Sequence, residues 1–140
     1  MNYGTIYSLT TSGAERVAAD FNGPPDGALP FGPVVDLHGV LYGTTYLGGS
    51  GPCSAGCGTV FALGKRGIKR TLYDFQSGAD GASPGSGLIV FRGALYGTTE
   101  SGGAYGMGTV FKITPSGNES IVYSFKGSPD GAAPVAALLA

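Results

Sequence analysis

The 140-residue sequence contains no tryptophan, one histidine and two cysteines, and only 12% of its residues are charged. Its formal net charge is −1, so we expect no basic surface of the kind that holds nucleic acid or an anionic membrane. No apolar run approaches the roughly 18 residues that a membrane-spanning helix needs. The one basic cluster, Lys65, Arg66, Lys69 and Arg70, is interpreted as the solvated end of a hairpin. The sequence therefore predicts no nucleic-acid partner and no membrane insertion.

Histidine and cysteine, which often hold metal ions, are nearly absent. A structural zinc site needs four ligands, and His38 is the only histidine that could join Cys53 and Cys57. We interpret His38 as a surface turn residue, because a catalytic base needs an acid or a nucleophile positioned beside it. The sequence predicts no metal site, no cofactor and no catalytic residue, and we expect that the protein is not an enzyme.

Glycine, proline and aromatic residues are abundant. The chain contains 27 Gly, 9 Pro, 8 Tyr and 7 Phe residues. Strict Gly-X-Y triplets are missing, so collagen is excluded, and the aromatic side chains supply the apolar surface that disordered chains lack. This composition is typical of a β protein with many turns.

The sequence also repeats itself. The motif Gly-Thr-(Ile/Val)-(Tyr/Phe) begins at residues 4, 58 and 108, which are 54 (58 − 4) and 50 (108 − 58) residues apart. Other markers keep this spacing: Phe21, Phe75 and Phe125; Asp26, Asp80 and Asp130; Pro30, Pro84 and Pro134. A period of about 50 residues with short apolar runs and glycine turns predicts a β repeat array such as a propeller. We divide residues 1–140, a single array, into repeats 4–57, 58–107 and a partial 108–140.

Each full period predicts one four-stranded antiparallel blade. Strands a and b are expected at 88–91 and 94–99, strand c at 58–63 and 108–113, and strand d at 69–75 and 120–125. Charged residues in the copies of strand d mark it as the edge of a blade. The predicted fold class is all-β, a β-propeller-like tandem of about 2.7 blades, which is incomplete because closed propellers have roughly four to eight.

The repeat further predicts the core and the ends of the array. We expect the following side chains to be largely buried: Phe61, Tyr73, Leu95, Phe111, Tyr123 and Leu138. Residues 135–139 predict a lone strand a that pairs with residues 4–9, in the same chain or a neighbour. Open sheet faces would expose apolar surface, so we expect the chain to self-associate to complete a ring, or to be poorly soluble. With so few blades, we expect a fragment of a longer array.

The linkers and loops predict a candidate binding surface. In an up-and-down blade the crossing from d to the next a and the loop from b to c leave the same face. Asp26, Asp80 and Asp130 should therefore share that face with loops 46–57 and 100–107. These carboxylates could form a ring that binds a cation or a sugar; alternatively, each Asp caps its own turn. Tyr46 and Tyr105 do not repeat between copies, and we hypothesise that they contact a ligand, with a packing role as the alternative.

Cys53 and Cys57 lie in the longer of the two b-to-c loops. Their spacing and the neighbouring glycines permit a disulfide within this loop, and free thiols are the alternative. A bridge over so short a loop would constrain the loop rather than hold the fold together.

Several motifs together resemble the GloVer tandem repeat: Leu-Tyr-Gly-Thr-Thr at 41–45 and 95–99, the glycine pairs at 48–49 and 102–103, the GTVF strands and the Asp-Gly-x-x-Pro linkers. The resemblance covers nearly the whole chain. It implies a bacterial choice-of-anchor repeat protein, a long propeller-forming array that is exported and held at the cell surface by one of various C-terminal anchors. It implies no catalytic residues. The double glycine after strand b is also similar to kelch blades, which favours a propeller but names no ligand.

These observations favour an extracellular or cell-surface module whose loop-bearing face binds a glycan or a protein. A structural spacer without a small ligand is one alternative. A propeller glycosidase or lyase is another and is less favoured. Such enzymes gather acids, or a histidine and a metal, around the channel, whereas the acids here are repeated turn residues.

Overall fold

The computed structural model describes residues 2–140, whose regular structure is nearly all β. Within these residues the one helical element is a single 3₁₀ turn, Gly78–Asp80. The ten strands of this range are β1 Thr5–Leu9, β2 Glu15–Asp20, β3 Val35–Leu37, β4 Val40–Thr45, β5 Thr59–Leu63, β6 Lys69–Asp74, β7 Ile89–Phe91, β8 Ala94–Thr99, β9 Thr109–Ile113 and β10 Glu119–Ser124. The predicted all-β class is confirmed.

The strands form three antiparallel sheets, which are successive blades of an open, propeller-like array. Blade 1 is the pair β1-β2, blade 2 has the order β3-β4-β5-β6, and blade 3 has the order β7-β8-β9-β10. Strand order follows chain order, as in an up-and-down blade, and strand d lies at the sheet edge as predicted. Because β3 contacts β7, strands a form the inner edges of neighbouring blades. We call the interface of blades 1 and 2 the first junction, and that of blades 2 and 3 the second junction.

The a-to-b hairpins close on two-residue turns. His38 and Gly39 have φ values of 57° and 78°, and Arg92 and Gly93 have 49° and 76°. Positive φ at both positions defines a type I′ turn, whose twist matches the flanking strands and whose second residue is favourably glycine. His38 is exposed, so its interpretation as a surface turn residue is confirmed.

The phenylalanine of each GTVF strand fills space left open by the glycine of the Leu-Tyr-Gly-Thr-Thr strand. A Cβ on Gly43 would lie 2.5 Å from Cζ of Phe61, and a Cβ on Gly97 would lie 2.7 Å from Cζ of Phe111. Both rings are buried. This close approach explains why the two motifs occur together in both complete blades.

Each junction has an apolar core built from the same repeat positions. In the first junction the rings of Phe21 and Phe61 meet edge to face with centroids 5.1 Å apart, and Ile6 and Leu63 belong to the same cluster. The second junction repeats this set with Val60, Phe75, Phe111 and Ile113. Burial of such side chains is the main stabilising contribution that the repeat provides.

Buried threonines connect strands b and c within each complete blade. The hydroxyls of Thr45 and Thr59 lie 2.8 Å apart, and those of Thr99 and Thr109 also lie 2.8 Å apart. All four side chains are buried. Because a buried hydroxyl without a partner is costly, these pairs explain the recurring threonines more fully than strand propensity does.

The burial predictions are partly wrong. Phe61, Leu95 and Phe111 are buried as expected, but Tyr73 and Leu138 are only partly buried and Tyr123 is 41% exposed. Tyr73 and Tyr123 point their hydroxyls to aspartates at the rim of a blade. Tyr123 also lies on blade 3, whose far face is not covered by another blade within residues 2–140.

The prediction of a strand at residues 135–139 paired with residues 4–9 of the same chain is wrong. These residues form no strand in the part of the chain described by the structure, and β1 pairs only with β2. The two strands a that do form, β3 and β7, are held by pairing with the strand b that follows them. Residues 135–139 have no such partner among the described strands.

Candidate ligand-binding face

The linkers between blades pack against the b-to-c loops, so both lie on one face of the array. Gly48 lies against the backbone of Gly27, and Gly102 lies equally closely against Gly81, so that a side chain on either loop glycine would overlap the linker. Gly48 and Gly102 also have φ values of +89° and +79°, a conformation that favours glycine. The predicted common surface is confirmed, and we call it the loop face.

The three aspartates of the linkers cap their own turns. Asp26, Asp80 and Asp130 each accept a hydrogen bond from the backbone N–H four residues earlier, at 3.0, 2.6 and 2.9 Å respectively. This is the behaviour expected of an Asp before Gly in a turn. Each carboxylate also has its own side-chain partner on a strand d: Lys69 for Asp26, Tyr73 for Asp80 and Tyr123 for Asp130.

In the first junction a lysine joins the aspartate. Nζ of Lys69 lies 2.7 Å from Oδ2 of Asp26, donates to the carbonyl oxygen of Asp20 at 2.6 Å and stands 3.7 Å from the centre of the Phe21 ring. Its side chain is only 11% exposed. The interpretation of Lys69 as part of a solvated hairpin end is wrong, because a carboxylate, a carbonyl group and an aromatic face hold it between two blades.

In the second junction a glutamate, Glu119, occupies the repeat position of Lys69. The hydroxyl of Tyr73 donates to Oδ1 of Asp80 at 2.6 Å, and Oε1 of Glu119 is buried without a hydrogen-bond partner. Burial, and then repulsion by Asp80, raises the pKa of Glu119 to about 7, although the nearby Tyr73 hydroxyl opposes the rise. The Glu119 carboxyl of the second junction therefore takes up or releases its proton near neutral pH.

A third cluster lies on the loop face toward the inner strands. The hydroxyl of Tyr46 donates to Oε2 of Glu100 at 2.8 Å, and this bond raises the pKa of Tyr46. The ring of Phe31 packs on that of Tyr46 with centroids 5.5 Å apart and is itself 63% exposed. Phe31 also lines two neighbouring grooves of about 480 and 360 Å³. We call Phe31, Tyr46 and Glu100 the aromatic patch.

Tyr105, the other tyrosine predicted to contact a ligand, lies elsewhere. Its exposed ring is 5.8 Å from Nζ of Lys126, in the loop beside Tyr123 and Asp130. The hydroxyl of Tyr123 donates to Oδ1 of Asp130 at 2.7 Å, which lowers the pKa of Asp130. Tyr46 and Tyr105 thus belong to separate clusters on the loop face.

The longer b-to-c loop carries a disulfide between Cys53 and Cys57. Cys57 is buried against the loop, and its Sγ accepts a hydrogen bond from the backbone N–H of Cys53 at 3.2 Å. Both cysteines pack against the apolar core of the second junction. Disulfides persist mainly in oxidising compartments, which makes this bond a feature of the kind found in exported proteins.

The comparisons with known proteins agree with the repeat architecture. The family model described as the Gloeobacter/Verrucomicrobia repeat matches residues 1–140. The chain belongs to this family. No curated protein matches the chain significantly. The family match confirms the GloVer resemblance and the tandem-repeat organisation.

Within this Gloeobacter/Verrucomicrobia repeat chain, sequence reasoning missed Phe31, Glu100, Lys69 and Glu119. One signal was present: Tyr46 and Glu100 follow the Thr-Thr pair in successive copies, and Lys69 and Glu119 share another repeat position. A repeat position at which the residue changes from copy to copy marks a place where the fold does not dictate the side chain.

Residues 2–140 of the repeat chain contain no group of three or more His, Cys, Asp or Glu side chains arranged to hold a metal ion. No helix within the same range has the length and apolar character needed to cross a membrane.

Proposed function

We propose that this chain is a non-catalytic, exported binding module that recognises a glycan through the aromatic patch on its loop face. The observation that carries the proposal is the pairing of an exposed phenylalanine ring with a tyrosine whose hydroxyl is bound to a glutamate. Sugar rings present apolar C–H faces and a rim of hydroxyls. An aromatic surface beside a carboxylate offers both matching contacts.

The position of the patch supports the same proposal. Phe31 comes from a linker, Tyr46 from the end of β4 and Glu100 from the end of β8, so two blades contribute to one surface. Tyr46 and Glu100 occupy the same position in successive repeats. A surface assembled in this way is held by the rigid blades rather than by the loops alone, which lowers the entropic cost of binding.

Titration of neutral oligosaccharides, followed by NMR shifts and calorimetry, tests the proposal. Phe31→Ala should weaken binding at least about tenfold, since loss of a stacked ring removes more than 1 kcal/mol. Tyr46→Phe should have a smaller effect, because it removes only the bond to Glu100. Tyr105→Ala is the matched control, since it removes an exposed aromatic ring outside the patch, and it should bind normally.

The two alternatives give different results. If no glycan in a broad panel shifts the spectrum of the folded wild-type chain, the proposal fails. If no peptide shifts it either, the spacer is favoured. If a polysaccharide is cleaved and new reducing or unsaturated ends appear, the non-catalytic part of the proposal is wrong.

A further inference from the structure

The two junctions repeat one another so closely that they predict the occupant of a third face. In each, a phenylalanine of one blade meets the phenylalanine of the next GTVF strand: Phe21 with Phe61 at 5.1 Å and 65°, and Phe75 with Phe111 at 5.1 Å and 70°. On blade 3, Phe125 occupies the repeat position of Phe21 and Phe75. Its ring is packed on one side by Tyr123 and is only partly buried.

The far face of blade 3 is otherwise the same surface that blade 3 covers on blade 2. Val110 and Ala132 correspond to Val60 and Ala82. Val60 and Ala82 are buried, whereas Val110 is partly exposed and Ala132 is exposed. We call Val110, Val122, Phe125 and Ala132 the terminal face.

The opposite end of the molecule presents the complementary surface. Tyr7 and Leu9 on β1 stand at the repeat positions of Phe61 and Leu63, which the first junction buries. Tyr7 is 63% exposed and Leu9 is 64% exposed. Large apolar side chains exposed side by side on one strand mark an interaction surface.

The turns between strands c and d make a second set of contacts that recurs from junction to junction. A Cβ on Gly67 would lie 3.1 Å from the carbonyl oxygen of Ala18, and a Cβ on Gly117 would lie 3.0 Å from that of Leu72. The c-to-d turn of each blade thus touches strand d of the preceding blade. Val122 is the next member after Ala18 and Leu72. A Cβ on Gly13, the turn glycine of blade 1, would meet no atom within 4 Å.

We propose that the terminal face binds blade 1 of a second copy of this chain, head to tail. Tyr7 of the second copy takes the place of Phe61 and Phe111 against Phe125, Leu9 packs on Val110, and the turn at Gly13 lies against Val122. The argument rests on continuity with the two junctions that the chain forms internally. Because the second copy brings two strands where blade 3 brings four, we expect association in about the micromolar range rather than tighter.

The charges at this contact are also set by the repeat. Glu15 stands at the position of Lys69 and Glu119, so in the docked pair it faces Asp130, which is bound by Tyr123 and lies near Lys126. The proposed contact therefore resembles the second junction, with two carboxylates. Glu15→Lys would give it the lysine and aspartate of the first junction and should tighten association several-fold, with the gain lost at high salt.

Sedimentation velocity between about 1 and 100 µM tests the proposal with two disabled surfaces. Tyr7→Asp and Phe125→Asp should each abolish association, and an equimolar mixture of the two should recover heterodimers, since each variant keeps one intact surface. Val122→Asp is a second terminal-face variant at an exposed position and should behave like Phe125→Asp. Ile68→Asp, at an exposed apolar residue outside both surfaces, should associate like wild type.

Near-ultraviolet circular dichroism checks that each variant is folded. A wild-type chain that stays monomeric at the highest concentration overturns the proposal. So does a mixture of folded Tyr7→Asp and Val122→Asp chains that does not associate, because a head-to-tail contact requires that complementation. Loss of association in Ile68→Asp would indicate non-specific aggregation and would overturn it as well.

Discussion

At the first junction an ammonium group meets a carboxylate, and at the second two carboxylates meet beside a tyrosine. Both junctions have the same apolar core, with rings 5.1 Å apart in each. Their polar rims differ because Lys69 is replaced by Glu119 and because Tyr73 stands where the first repeat has Ala19. The core is therefore fixed by the repeat, whereas the rim determines how each junction responds to pH and salt.

The largest expected effect comes from making the first junction like the second. Lys69→Glu removes a partly buried ion pair and a cation–π contact and places a carboxylate against Asp26, in a repeat that has Ala19 at the position of Tyr73. We expect the free energy of unfolding to fall by about 2–4 kcal/mol at pH 7. Urea denaturation measures the change. Lys69→Met keeps much of the apolar stem and should cost less; equal losses in both variants would show that repulsion plays no part.

The next effect concerns pH and the second junction. The pKa of Glu119 is raised to about 7 in the folded chain from an ordinary value of 4.5. A raised pKa means that the folded state holds the proton more tightly. Protonated Glu119 therefore contributes its full stabilisation of the fold below pH 4.5, and this contribution is lost as the pH rises through about 7.

Glu119→Gln removes this titration. We expect the variant to be more stable than wild type by about 1–2 kcal/mol at pH 8, less than the full pKa shift would give because the side chain is partly exposed. The difference should vanish near pH 4. Denaturation at a series of pH values checks this, and parallel pH profiles for the two proteins would contradict it.

A smaller effect tests the tyrosine. Tyr73→Phe removes the donor to Oδ1 of Asp80, and we expect a loss of about 0.5–1.5 kcal/mol. Tyr123→Phe removes the same bond to Asp130 at an exposed site and should cost less, since water replaces the donor there. Thermal or urea denaturation of both variants compares the two sites, and an equal loss would show that burial in the second junction adds nothing.

The smallest effect concerns the disulfide, which packs on the core of the second junction and has no counterpart in the first. Replacing Cys53 and Cys57 with serine should lower stability by roughly 0–2 kcal/mol, because a bridge closing so short a loop constrains the unfolded chain weakly. In oxidised wild-type protein, alkylation followed by mass spectrometry should detect no free thiol. Two freely alkylated cysteines would mean that the bond does not form in solution.

The framework of the fold could be predicted from the sequence because the repeat marks it three times. Strand c was expected at 58–63 and 108–113 and is found at Thr59–Leu63 and Thr109–Ile113, while strand d is found within one residue of its predicted bounds at each end. These strands are set by local patterns of apolar residues and turns, which a single sequence displays.

The candidate site could be predicted only in part. The turn-capping role of Asp80 follows from the Asp-Gly pair, which is local. The contacts of Lys69, Glu119 and Glu100 are not local, because each side chain reaches a different blade. Predicting them requires the offset between neighbouring blades, which repeat spacing alone does not give. The strand prediction for residues 135–139 was wrong for a related reason: an apolar pattern predicts a strand only where a partner strand is present.

The b-to-c loops differ in length, yet the threonine pairs on either side of them do not move. Thr45 faces Thr59 and Thr99 faces Thr109 in the same register, although the first pair encloses four more residues than the second. The buried hydroxyl pair holds strands b and c together at the base of the loop. This position should therefore accept foreign peptide segments without disturbing the sheet, so the chain offers a scaffold on which recognition loops can be exchanged while the blade keeps its registration.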